Sequence, residues 1–272
     1  MEFLSEIVKY DFLSNAILAS ILSGIACGLI GTYIVCRRLV FLSGGITHAS
    51  FGGIGIAYYF GFNPLLGAFG FSLLAGVGIE LLSQKEKIRE DSVIGMLWSL
   101  GMAIGIIFIY MTPGYAPNLM SFLFGNVLSV THADLIAISI LDLILILVFT
   151  LFYRQIMYAS FDREYSESQH IPVSVINCFM MMLVAAAIVL SIRAIGIVLL
   201  ISLLTIPVTI VNTFTKKYNT LSLCSCIIAT LGTLLGLWFS YSADIPSGAS
   251  TIFVLAILLI IAKVVARIIK NR

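Results

Sequence analysis

Charged residues are scarce in this sequence. Asp, Glu, Lys and Arg together make up 10% of its 272 residues, against about 25% in a typical soluble domain. So few charges cannot give a folded globule a water-compatible surface, which excludes a soluble enzyme or binding module. Catalytic signatures are missing too. There is no Gly-Lys pair, hence no Gly-x-x-x-x-Gly-Lys phosphate loop, and neither His-Glu-x-x-His nor Gly-x-Ser-x-Gly occurs. If the protein uses ATP, another subunit must hydrolyse it. No repeat of about 20–50 residues stands out, and no low-complexity tract is present. The first eleven residues carry Glu2, Glu6, Lys9 and Asp11, the wrong sign for a signal-peptide n-region, so no cleavable leader is expected. The five cysteines (Cys27, Cys36, Cys178, Cys224 and Cys226) fall mostly in apolar stretches, where a thiol behaves as a small buried hydrophobe.

What the chain does have is apolar length. Nine segments approach the ~20 residues needed to cross a bilayer core: 12–36, 44–60, 63–83, 92–111, 132–153, 173–192, 195–215, 220–241 and 247–269. The expected fold is an all-α polytopic transmembrane bundle of eight or nine spans, as one domain over residues 1–272. The second segment is short and glycine-rich; if it is re-entrant, the count is eight. Pro207 should break or bend the seventh. Thirteen of the fifteen basic residues form five clusters at span ends: Arg37–Arg38; Lys85, Lys87 and Arg89; Arg154 and Arg163; Lys216–Lys217; and Lys263, Arg267, Lys270 and Arg272. Basic loops stay in the cytoplasm, which puts these ends inside, the N-terminus outside and the C-terminus in the cytoplasm of a plasma-membrane protein. Basic residues confined to span ends give no reason to expect a nucleic-acid partner. Residues 112–131 form an outer loop, and residues 154–172 a cytoplasmic segment of mixed charge suited to a short surface helix facing a soluble partner. Small residues four apart (Ser20, Gly24, Gly28; Gly101, Gly105; Gly232, Gly236) predict close helix packing.

Ionisable groups within a bilayer each require a reason. Asp142 lies near the centre of its span and is either neutral or paired in the bundle, or lines a cation path. Glu80, Lys263 and Arg193 lie near span ends and can snorkel. Thr131-His132-Ala133-Asp134 has the spacing of a capping box. The densest polar patch runs from Ser43 to Ser50 and on to Phe51-Gly52-Gly53. His48, Gly52 and Gly55 share one helical face there, placing an imidazole, a good ligand for first-row transition metals, beside a bare groove. Two readings stand for His48, a bond to a neighbouring helix or a metal contact. His132 and His170 carry no such signal.

In order along the chain come Thr47-His48-Ala49-Ser50-Phe51-Gly52-Gly53, Asn63-Pro64, Glu90-Asp91-Ser92-Val93-Ile94-Gly95, Leu123-Phe124-Gly125-Asn126-Val127-Leu128-Ser129-Val130, Ser160-Phe161-Asp162, Gly196 with Pro207, and Asp244-Ile245-Pro246-Ser247-Gly248-Ala249. Over nearly its whole length the chain thereby resembles the permeases of the metal-ion ATP-binding-cassette importers, which take up zinc, manganese or iron. The resemblance implies a pathway of two permease copies, two cytoplasmic ATPase subunits that use Mg-ATP, an outer metal-binding protein, and no cofactor on this chain. It implies that residues 154–172 are the coupling segment, with Ser160, Phe161, Asp162, Arg163, Glu164 and Glu167 facing the ATPase, and that Tyr115 and Asp244 face the binding protein. Alternating access would carry the ion past His48. Departures matter as well. Where such permeases often carry Asp four residues before the His, this chain has Gly44, so the metal contacts reduce to His48, Thr47 and an acid from another helix, for which Asp142 is the candidate by its depth. His170 stands where Gly is common, and Ser166 and Ser168 where Ala is. The alternative is a stand-alone secondary transporter with Asp142 as proton carrier, which would call for paired broken helices in an internal repeat.

Overall fold

The computed structural model describes residues 11–86, 88–113, 130–161 and 163–270. Tyr115, Asp162, the Leu123–Ser129 part of the family-like stretch and the side chain of Arg163 therefore lie outside the described residues. Among the described residues every regular element is helical: α1 Asp11–Cys36, α2 Val40–Phe60, α3 Pro64–Lys85, α4 Glu90–Met111, α5 His132–Leu151, α6 Tyr153–Phe161, α7 Arg163–Ser168, α8 Val173–Ile195, α9 Ile197–Asn212, α10 Tyr218–Ala243 and α11 Ser247–Lys270. Eight are long and apolar enough to cross a membrane, and α9 is the short ninth. The expected all-α bundle is thus observed.

Two local expectations change. The glycine-rich second segment is a continuous helix of 21 residues; it is the seventh that is short. α9 has 16 residues, or about 24 Å at 1.5 Å per residue, less than the ~30 Å core. Pro207 lies within it without breaking it. The break comes earlier, at Gly196, the single residue between α8 and α9, whose φ of +77° is open to glycine at little cost.

The chain packs as two compact units, one comprising residues 1–36, 120–144 and 190–272, the other 37–119 and 145–189. In the first, α1 packs on α10 and α9, and α11 on α9 and α10. A Cβ added at Gly28 would lie 2.5 Å from the Cys226 backbone nitrogen, so only glycine allows this approach. The Thr233 hydroxyl donates to the Ser20 carbonyl at 3.2 Å across the same seam, and the Ser250 hydroxyl to the Gly236 carbonyl at 2.9 Å between α11 and α10. In lipid such close packing supplies dispersion contacts and backbone hydrogen bonding where water supplies no hydrophobic drive. In the second unit α2 packs on α3 and α4; at Gly105 an added Cβ would lie 2.5 Å from the Phe51 carbonyl oxygen. All three small-residue repeats of the sequence therefore lie where helices meet.

Candidate functional site

His48 is the first of the candidate residues. α2 presents the imidazole to Trp98 of α4, the rings stacked with centroids 4.4 Å apart and planes 6° from parallel. Phe51, one turn along α2, stacks more loosely at 6.1 Å. Gly44 lies under the same indole, since an added Cβ there would be 3.3 Å from Trp98 Cζ3. The indole thus covers the position where an acidic ligand was expected and the sequence has none. Trp98 was missed at the sequence level; its signal is only that residues 98, 101 and 105 share one stripe of α4. Thr47 is fully buried, and neither its Oγ1 nor His48 Nδ1 has a hydrogen-bond partner among the described residues.

Asp142 lies midway along α5, buried, both carboxyl oxygens lacking a hydrogen-bond partner among the described residues. Its electrostatic neighbours are Cys27 of α1 and Cys226 of α10. It belongs to the first unit, whereas His48 and Thr47 belong to the second. No group of three or more His, Cys, Asp or Glu suited to a metal ion occurs among the described residues, so no preassembled cage accompanies His48.

One expectation of snorkelling is corrected. Glu80 is 1% exposed, turned inward by Arg37, whose Nη1 lies 3.8 Å from Glu80 Oε2 while its Nη2 donates to Glu90 at 3.0 Å. Gln84 Nε2 donates to Glu80 Oε1, and the Ser174 hydroxyl donates to Gln84 Oε1 at 2.5 Å. A charge away from bulk water needs such partners, and this network ties α3, α4 and the start of α8 to the α1–α2 turn. Arg193 stays 42% exposed in the last turn of α8 and pairs there with Asp134, its Nε lying 3.1 Å from Oδ1. Asp134 also completes the expected capping box, since Oδ2 accepts from the Thr131 amide at 3.0 Å and hydroxyl at 2.6 Å, and the Asp134 amide donates back to Thr131 Oγ1 at 3.3 Å.

The segment expected to dock a partner holds two short helices, α6 and α7, joined by an edge-to-face contact of Tyr158 with Tyr165. Ile156 and Ala159 turn inward, while Tyr158, Phe161 and Tyr165 are exposed. Glu164 and Glu167 are exposed on α7, so the outward face is aromatic as well as acidic. Ser160 and Phe161 line a cavity of about 310 Å³ together with Arg37, Glu80, Gln84, Glu90 and Asn177. His170 lies in the turn between α7 and α8 at φ +57°, the left-handed conformation that glycine adopts more easily. Asp244 is exposed and takes a left-handed turn at the end of α10, its amide bonded to the Ser240 carbonyl.

Comparison with known proteins matches the model of the ABC 3 transport family to residues 9–266. The chain is 37% identical to the uncharacterized membrane protein slr2045 of Synechocystis, over 96% of this chain and 93% of that one. It is 32% identical to the manganese transport system membrane protein MntC of Listeria monocytogenes, over 96% and 93%. Among solved structures it superimposes on PsaBC from Streptococcus pneumoniae in complex with Fab, with a TM-score of 0.83 and 26% identity over 96% of this chain and 94% of that one.

Proposed function

The chain belongs to the ABC 3 transport family, and from that membership we propose that it is the membrane-spanning permease subunit of an ATP-driven importer of divalent transition metal ions. The observation that carries this reading is the reach of the likeness, residues 9–266, over a helical bundle whose sequence has no phosphate-binding loop. The power stroke then comes from separate ATPase subunits. A relative named for manganese transport supports manganese as cargo; the single imidazole of His48 suits zinc equally, with iron third.

Two copies of the chain line the pathway, and an outer binding protein delivers the ion on the side of Tyr115 and Asp244. The α6–α7 segment docks into the ATPase through Ser160, Phe161, Asp162, Arg163, Glu164 and Glu167, with Tyr165 exposed beside them. The chain lies in the plasma membrane with its basic ends in the cytoplasm, nine crossings, and the N-terminus outside. Two contacts fit the grouping of span ends, because each joins residues assigned to one side, Asp134 with Arg193 and Arg37 with Glu80 and Glu90; the side itself is assigned from the basic clusters. ATP-driven closure of the partners moves these segments and alternates access to His48 and Thr47, with Asp142 supplying negative charge along the path. The weak coordination of one imidazole favours release, since conduction requires leaving as well as entering.

The test is uptake by the purified chain reconstituted in vesicles with its co-purifying ATPase and outer binding protein. Manganese or zinc should accumulate only with ATP and with all components present. Accumulation by the chain alone under a proton gradient would establish the secondary-transporter alternative instead.

A further inference from the structure

His48 has aromatic carbon beside it and no charge. The Trp98 indole covers one face of the imidazole, centroids 4.4 Å apart and planes 6° from parallel, and the Phe51 ring lies 6.1 Å off. No charged side chain acts on the imidazole among the described residues. Asp142 belongs to the other unit, and the hydroxyl of Thr47 is neutral. Backbone contact sets the place of the indole. A Cβ added at Gly101 would lie 2.5 Å from the Ala49 Cα, and one at Gly105 2.5 Å from the Phe51 carbonyl oxygen. Trp98, one turn earlier on α4, is thereby held over Gly44 and His48. Gly44 precedes His48 by four residues and shares its helical face. A carboxylate at 44 would therefore point the same way, but an added Cβ would already be 3.3 Å from Trp98 Cζ3 and 3.6 Å from Cη2. His48 Nδ1 is buried without a hydrogen-bond partner among the described residues. A metal-bound histidine ordinarily has its second nitrogen tied to a carboxylate, carbonyl or water; here the aromatic stack fixes the ring instead.

We propose that Trp98 is a specificity-determining residue for the metal ion, acting as a positioning residue through His48 and Gly44 without touching the cargo. The indole fixes the plane of the imidazole, so that Nε2 meets the ion. It also fills the space through which a carboxylate at position 44 would reach it. The site then offers a neutral nitrogen and no anionic oxygen. Imidazole suits zinc, whereas carboxylate, carbonyl and water suit manganese, which also stands lowest in affinity for a given donor set. Trp98 thereby biases the site toward zinc and against manganese. This inference rests on the reading of His48 as the metal contact of a permease.

The test measures zinc and manganese binding to the full chain purified with its ATPase, and the binding that His48→Ala removes is assigned to the site. The wild type should hold zinc at least about tenfold more tightly than manganese. Trp98→Ala should weaken zinc about tenfold, the cost of freeing a ligating histidine, and leave the weaker manganese binding unchanged, so the ratio falls. Trp98→Phe, which keeps an aromatic face on the imidazole, should hold the wild-type ratio. A variant that only loosens the fold lowers both affinities together and leaves the ratio in place. Should Trp98→Ala fail to assemble, Trp98→Leu, apolar but without an aromatic face, carries the same comparison. A wild-type ratio in Trp98→Ala or Trp98→Leu, or a wild type that prefers manganese, overturns the assignment. Zinc binding unchanged in His48→Ala is a separate result: it takes His48 out of the pathway, and the role of Trp98 goes with it.

Discussion

The imidazole of His48 and the indole of Trp98 lie face to face, 4.4 Å between centroids and 6° from parallel, and the same indole closes over Gly44. The glycine at 44 and the tryptophan are therefore linked sterically. A side chain at 44 must displace the ring, because an added Cβ would already be 3.3 Å from Trp98 Cζ3. Gly44→Asp alone should destabilise the chain by about 1–3 kcal/mol through overpacking, read as a lower melting temperature in detergent. Gly44→Asp with Trp98→Ala should recover most of that loss and bind manganese more tightly than the wild type. A double variant with unchanged manganese affinity would sever the link between Trp98 and the site.

His48→Ala should lower metal uptake while assembly with the ATPase is retained, because the imidazole lies on α2 and the segment proposed to dock the ATPase is α6 with α7. Uptake by reconstituted complex, set beside co-purification, separates the two effects. Wild-type uptake would refute a ligand role for His48.

The fold was legible in the sequence because apolar length and basic span ends are strong, local signals. Even the small-residue seams at Gly28 and Gly105 were marked by spacing alone. Side-chain partnerships were less legible. The depth of Glu80 and Arg193 is visible in sequence, whereas their partners, Arg37 and Asp134, are 43 and 59 positions away and no periodicity connects them. Trp98 was overlooked for the same reason, as stacking on His48 depends on how α4 lies against α2. The sequence marks the second segment as short and glycine-rich; in the structure those glycines serve close packing, and the helix break falls at Gly196, where φ is positive.

Asp134 has two tasks, closing the capping box of α5 and pairing with Arg193. Arg193 is 42% exposed, so solvent screens the pair and the cap contributes most of the stability, about 1 kcal/mol. Asp134→Asn should therefore cost less than Asp134→Ala, since the amide oxygen still accepts from Thr131. Melting temperatures of the two variants give the order, and equal losses would mean that the ion pair dominates.

His170→Gly should stabilise the turn between α7 and α8. A non-glycine residue in the left-handed region costs about 1–2 kcal/mol, and His170 sits there at φ +57°. Part of that gain is offset by the greater freedom of glycine in the unfolded chain. Protease protection of that turn should rise. Unchanged or weaker protection would show that the imidazole makes compensating contacts.

Asp142→Asn separates charge from packing. Both carboxyl oxygens are buried without hydrogen-bond partners among the described residues, so an amide of nearly the same shape breaks no hydrogen bond among them. If the carboxyl only fills space between α5 and its neighbours, Asn serves as well, and uptake tracks expression. If the group meets a passing cation, uptake should fall at least tenfold, the result of losing about 1.4 kcal/mol of differential interaction, while the melting temperature stays near wild type. Uptake per folded molecule, measured in reconstituted complex, distinguishes the two because it removes differences in yield. A large drop in yield with normal uptake per molecule would assign Asp142 to packing and take it out of the pathway.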